Sequence, residues 1–218
     1  GYTFPKPLID VCGKPMIGRV IDSLDSNKLD TNFIFVAQKN HLDLGLRSYL
    51  ETKGSIITLD TLTEGAACTT LLASNLIDNE EELVIANCDQ YLQWSFYDYI
   101  TYSRLYDGCL VTFNSTNPHH SYVKVKKSLV TEVAEKIVIS DKASAGIYYF
   151  KKGSDYVTCA NNEFYICPVY NELLTKTKKV STYECDVNNK HMLGTPEELN
   201  IFLDKIDNEE VKIWVRKF

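Results

Sequence analysis

Apolar runs and stretches of helical period take turns along the first half of this chain. Met16, Ile17, Val20, Ile21 and Leu24 recur at helical spacing behind Pro15, a residue that fits the first turn of a helix. Phe33–Ala37 is an unbroken apolar run, the pattern of a strand covered on both faces. A helix is expected over 40–52, with Leu42, Leu46, Tyr49 and Leu50 inward, and a strand over 55–59. Gly65 opens a third helix reaching about Ile77. The next buried strand is Glu82–Asn87, ending at Cys88-Asp89-Gln90, and a helix near 95–105 leads to a strand over 109–113. Strand and helix in alternation predict a layered α/β sheet with right-handed crossovers.

After about residue 114 the rhythm changes. Three runs, at 122–126, 130–134 and 145–150, read as strands joined by short turns, so antiparallel pairing is expected. A helix near 154–160, an apolar stretch at 163–174, a strand near 180–185 and a helix from Pro196 complete the chain. With no repeat and no low-complexity linker, the expectation is one domain over 1–218, with halves at 1–114 and 115–218.

At 218 residues the chain can bury a substantial core. Its net charge of -6 argues against a nucleic-acid binder, which needs a basic footprint, but leaves room for a small phosphate pocket lined by a few lysines. The seven cysteines are scattered without a Cys-x-x-Cys pair, which argues against zinc and fits free thiols in a reducing cytoplasm. No apolar stretch approaches the ~20 residues of a membrane span. The chain opens on Gly1 and runs straight into a motif, as expected of a chain whose true N-terminus lies upstream.

Pro5-Lys6-Pro7 holds a lysine between two prolines ahead of a turn, where it could meet a phosphate with little entropy to lose; a solvated loop is the other reading. Asp89 follows the strand Leu83–Asn87. Ligands gather at the carboxyl ends of strands in α/β sheets, so Asp89 could hold a divalent cation against phosphates, or simply cap the following turn. Thr63-Glu64-Gly65-Ala66-Ala67-Cys68-Thr69 is a small-residue helix start, fit either for close ligand approach or for tight packing. Glu135-Lys136 is an acid–base pair closing a strand, and Gly146 fits a bulge or a ligand contact. Glu163 is equally open, and His119-His120 reads as a surface pair in a turn.

Taken in order, Pro-Lys-Pro-Leu, Thr-Glu-Gly-Ala-Ala-Cys-Thr, Asn-Cys-Asp-Gln, Ala-Glu-Lys and Leu-Gly-Thr-Pro-Glu-Glu-Leu resemble the sugar-phosphate nucleotidyltransferases almost end to end. The resemblance implies a three-layer α/β/α Rossmann-like mixed sheet, the nucleotide-diphospho-sugar transferase fold, with a smaller antiparallel second lobe. It implies that Lys6 neutralises the nucleotide's phosphates, and that Glu64, Gly65, Ala66 and Asn87 receive the nucleotide. Asp89 would bind Mg²⁺. Lys136 would meet the acceptor's phosphate, with Glu135, Gly146 and Glu163 shaping its pocket. The partners implied are a nucleoside triphosphate and a small phosphorylated acceptor, in a cytoplasmic protein whose family is often oligomeric.

Three departures stand out. The family's Gly-x-Gly-x-Arg loop, which precedes the Pro-Lys element, is not in this sequence. Met192 occupies a position where relatives place a second metal-binding aspartate, leaving His191 or Asp186 as candidate substitutes. The passage from Cys159 to Glu163 is short. The expected reaction is attack by an acceptor phosphate on the α-phosphorus of the triphosphate, releasing pyrophosphate, with a product destined for surface polysaccharide. Since that nucleophile is already ionised, positioning and charge neutralisation carry the catalysis. The rivals are a non-catalytic nucleotide sensor or scaffold of the same fold and a glycosyltransferase on a related fold; the latter usually needs Asp-x-Asp where this chain has Asn87-Cys-Asp89.

Overall fold

The stretch behind Pro15 folds as α1 (Met16–Ser23), with Ile17, Val20 and Ile21 inward, in a computed structural model that describes residues 5–211 and 213. Of the opening motif, Tyr2, Thr3 and Phe4 lie outside the described residues, while Lys6–Leu8 forms one tight turn. The first apolar runs become β1 (Phe33–Gln38) and β2 (Gly54–Leu59), paired in parallel with Phe33 opposite Gly54. The helix expected over 40–52 is broken into α2 (Lys39–His41) and α3 (Arg47–Leu50) by a kinked turn in which Gly45 has φ +107°. That conformation is cheap for glycine alone, and Leu42, Leu46 and Leu50 still pack onto α1. The helix from Gly65 is likewise two pieces, α4 (Ala66–Leu71) and α5 (Ser74–Ile77).

Next come β3 (Leu83–Ala86), β4 (Gln90–Leu92), α6 (Phe96–Ser103) and β5 (Gly108–Asn114). The Ser95 hydroxyl accepts the Asp98 N–H and starts α6. β6 (Ser121–Lys126) and β7 (Leu129–Glu135) form a hairpin whose two turn residues, Lys127 and Ser128, both take positive φ, the geometry that matches strand twist. β8 (Lys142–Phe150), α7 (Gly153–Cys159), α8 (Val169–Thr175), β9 (Val180–Glu184), β10 (Lys190–Met192) and α9 (Pro196–Asp207) follow.

The central sheet is mixed and has six strands, ordered β7-β6-β8-β5-β9 with β3 also on β8. β8 runs antiparallel to both β3 and β5, so beyond the parallel β1–β2 pair the alternation of the first half does not continue as parallel neighbours: a strand from the second half lies between β3 and β5. Among the described strands only β9 joins β5 in parallel. Among the described strands β1 pairs only with β2, and every residue of β1 is half-buried where full cover was expected.

Alternation along the strands supplies two cores. Leu110, Tyr148 and Phe150 face one with α7 and α8; Cys109, Val111 and Tyr149 face the other with α6. Helices therefore cover both sheet faces, giving three layers. No helix among the described residues is long and apolar enough to cross a membrane.

Candidate active site

Two strands too short to announce themselves build the centre of the site. β4 and β10 pair antiparallel, Gln90 opposite Met192, Tyr91 opposite His191, and Leu92 opposite Lys190. Side chains alternate across such a ribbon. Tyr91 and His191 turn to Phe202 of α9, with ring centroids 5.6 Å and 4.9 Å from it. Gln90, Lys190 and Met192 line a cavity of about 250 Å³ on the other side. His191 is buried, its Nε2 lies 3.1 Å from Gln93 Oε1, and burial lowers its pKa to about 4.

Asp89 closes the segment between β3 and this ribbon, its carbonyl accepting the Leu193 N–H at 2.8 Å. Its carboxylate receives Lys6 Nζ at 2.9 Å, an ion pair that is only part-buried. Gly194 lies against both. A Cβ there would stand 3.0 Å from Glu198 Oε2, 3.1 Å from Asp89 Oδ2 and 3.4 Å from Lys6 Nζ, so three charged groups converge on one point that a side chain would crowd. Glu198 is brought there by the capping box of α9: the Thr195 hydroxyl accepts the Glu198 N–H, and the Glu198 carboxylate accepts the Thr195 N–H at 2.9 Å.

The cavity has a wall made by β8. Gly146 adopts φ +72° where the β5–β8 register shifts, so it is a bulge. A Cβ at Gly146 would fall 2.4 Å from Asn87 Nδ2 and 3.3 Å from Gln90 Nε2. Glu135 lines the same cavity and accepts a hydrogen bond from the Ser121 hydroxyl across the β6–β7 pair.

Of the residues singled out in the sequence, Asn87, Glu135, Gly146 and Ala66 line this cavity, while Lys6 and Asp89 meet beside it. Lys136 stands at the rim, exposed, with its Nζ 4.9 Å from the centroid of Tyr165, itself a lining residue. Gly65 is pressed against Phe164: a Cβ would approach the Phe164 carbonyl oxygen to 2.0 Å, and that oxygen already accepts the Ala67 N–H at 3.0 Å. The first turn of α4 is thus partly satisfied by the protein itself. Glu64 is exposed beside it. Glu163 is not among the lining residues; burial and the neighbouring Glu172 charge raise its pKa.

The turn at His119-His120 does more than face solvent, since both residues line the cavity and His120 packs edge-on to Phe113 at 5.2 Å. Lys190, Gln90 and Glu198 were missed in the sequence. For Glu198 a signal existed in Thr195-x-x-Glu198, the capping-box spacing, but nothing local ties it to Asp89. Of the substitutes considered for a carboxylate at Met192, His191 points to the opposite face of the ribbon, and Asp186 caps the turn at Val187–Asn189. Glu198 is the second carboxylate beside Asp89.

Asp89 and Glu198 supply hard oxygen donors. No cluster of three or more His, Cys, Asp or Glu side chains able to hold a metal exists among the described residues. Two carboxylates suit Mg²⁺, which keeps water and phosphate oxygens as its other ligands, better than a metal needing a closed protein cage.

Residues 1–210 match the family model for nucleotidyl transferase. Among solved structures, the chain is similar to the nucleoside-diphosphate-sugar pyrophosphorylase from Vibrio cholerae RC9, with TM-score 0.82 and 26% identity over 94% of this chain and 93% of that one. It shares its fold with a putative glucose-1-phosphate thymidylyltransferase from Bacillus anthracis (TM-score 0.77, 16% identity, 97% and 89% covered). The inositol-1-phosphate CTP transferase from T. maritima has the same fold (TM-score 0.72, 14% identity, 97% and 89% covered). No curated protein matches the sequence.

Proposed function

The chain belongs to the nucleotidyl transferase family, and from that membership we propose that it joins a nucleoside triphosphate to a small phosphorylated acceptor such as a sugar 1-phosphate, releasing pyrophosphate. The observation that carries this reading is the meeting of Lys6, Asp89 and Glu198 at Gly194, next to a polar cavity holding Asn87, Glu135 and Gly146. One place suits a charged phosphate chain and the adjoining one suits a hydroxyl-rich acceptor.

In the reaction, an acceptor phosphate oxygen attacks the α-phosphorus, the new O–P bond forms, and the bond to the β-phosphate oxygen breaks in line. Lys6, fixed between Pro5 and Pro7, would leave its pair with Asp89 for the phosphates. A half-exposed ion pair is worth ~1 kcal/mol or less, so the exchange is cheap. Asp89 and Glu198 would hold Mg²⁺, which supplies charge neutralisation on the phosphates when bound. Glu135, whose carboxylate is oriented by Ser121, would accept from an acceptor hydroxyl, and the Asn87 amide, expected from the sequence to receive the nucleotide, would instead donate across Gly146 into the same cavity. Lys136 at the rim would meet the acceptor on entry. Use of the product in surface polysaccharide assembly and a cytoplasmic location belong to the same proposal, on the strength of the sequence resemblance. A pyrophosphate-release screen of the ribonucleoside triphosphates and dTTP against phosphorylated acceptors, with and without Mg²⁺, tests it; no release with any pair would overturn the reading.

A further inference from the structure

Lys190 stands in the cavity wall with weak partners. Its Nζ donates to the Met192 sulfur at 2.9 Å and lies 4.4 Å from the Phe113 ring centroid. A thioether is a poor acceptor for an ammonium, and a ring face balances only part of its charge. Lys190 takes part in none of the ion pairs among the described residues. Burial lowers its pKa, opposed by the charges of Glu198, Cys185 and Asp89, none of which touches it. Diagonally across the ribbon is Gln90, 2% exposed, a residue of the same cavity wall whose buried Nε2 has no hydrogen-bond partner. A buried amide donor left unpaired is costly and calls for an explanation. An ammonium without a carboxylate and an amide without an acceptor, on one face of one ribbon, both lack the same thing: a bound anion.

We propose that Lys190, with the Gln90 side-chain amide beside it, holds the acceptor's phosphate against the wall of the cavity nearest Asp89. The assignment rests on the reading of this cleft as a meeting place for two phosphorylated molecules. It places the inner phosphate contact on a residue other than Lys136, whose ammonium sits outside over Tyr165. It also gives Met192 a reason. A carboxylate at that position would pair with Lys190 and cancel the charge; a thioether orients the ammonium and leaves it available.

The test is a phosphorus-31 NMR titration with inorganic phosphate as the probe, on the whole chain and on Lys190→Met, Lys190→Arg, Gln90→Leu and Lys136→Met. Thermal unfolding of each variant checks that it is folded. Lys190→Met should weaken phosphate binding about tenfold or more, the size expected for a charge-assisted contact, and Lys190→Arg should keep most of it. Gln90→Leu should lose affinity severalfold while melting no lower than the parent, because it removes an orphaned donor. Steady-state kinetics of Lys190→Met should show a raised acceptor KM with the triphosphate KM unchanged. Equal phosphate affinity in the parent and Lys190→Met, loss confined to Lys136→Met, or no binding to the parent at millimolar phosphate would overturn the assignment. Phosphate binding that depends on Lys190 in a protein releasing no pyrophosphate would sink the proposed reaction and leave this anion site standing.

Discussion

Asp89 is tied to the protein by one part-buried ion pair with Lys6, and its backbone carbonyl fixes the ribbon through Leu193. Those two attachments separate its roles. Asp89→Asn removes the charge and keeps the carbonyl, so it should shift stability by no more than about 1 kcal/mol, read by urea unfolding. Its effect on pyrophosphate release should be a loss of about a hundredfold or more, the scale of removing one preorganised charge-stabilising group. Full turnover in Asp89→Asn would remove that carboxylate from the mechanism. Gly146 behaves oppositely, because its backbone and its neighbours both object to a side chain. Gly146→Ala would adopt φ +72° and press a methyl group into the Asn87 amide. It should cost on the order of 1–3 kcal/mol, visible in denaturant unfolding, and should raise the acceptor KM as Asn87 and Gln90 are pushed aside. A stable Gly146→Ala protein with an unchanged acceptor KM would show that the bulge is only structural.

At the scale of elements, α9 and the β4–β10 ribbon act together. The capping box that starts α9 also aims Glu198 at Asp89, so one substitution should read out in two ways. Thr195→Ala should destabilise the protein by about 1 kcal/mol, as lost caps do, and should also weaken Mg²⁺-dependent turnover because Glu198 is no longer held. A purely structural cap would move the first reading alone. The other face of the ribbon carries a pH dependence. Folded His191 has its pKa lowered to about 4, chiefly by burial and then by Lys205 and Lys190. In the unfolded chain it titrates near the ordinary histidine value of about 6.5. Between those values the unfolded state binds the extra proton, so stability falls as pH drops through that window. Half-buried His120, also lowered, acts in the same direction. His191→Phe, which keeps the aromatic contact with Tyr91 and Phe202, should therefore make the plot of unfolding midpoint against pH shallower below about 6.5. An unchanged slope would contradict the buried, neutral imidazole.

At the scale of the whole molecule, the central strand comes from the far half of the chain. β3 and β5 both rest on β8, and among the described residues β5 otherwise pairs only with β9. A fragment spanning 1–114 would therefore expose both edges of β5 and the β8-facing edge of β3, strands meant for the interior. It should show no cooperative unfolding transition by circular dichroism, whereas the full chain should; a cooperatively folding 1–114 would show that the two halves are separable. The sequence by itself determined most element types, because Phe33–Ala37, Leu83–Ala86 and Cys109–Phe113 are apolar runs, and Ile17, Val20, Ile21 recur at helical period. Such patterns depend on neighbours a few residues away, and so did the start of α9 at Thr195-Pro196; Gly146 fitted either a bulge or a ligand contact, and its register against β5 decided for the bulge. Helix continuity was less legible, since the break at Gly45 depends on a dihedral angle that composition only permits. The tertiary structure alone decided the insertion of β8 between β3 and β5, and the pairing of Gln90–Leu92 with Lys190–Met192 across a hundred residues of chain. Three-residue strands carry too few positions for a period to register, and which strand edge meets which depends on packing the entire sheet. That pairing sets Lys190, Gln90 and Met192 on one face, and the fold of α9 adds Glu198 beside Asp89. Charges brought together from distant segments leave no local pattern to read.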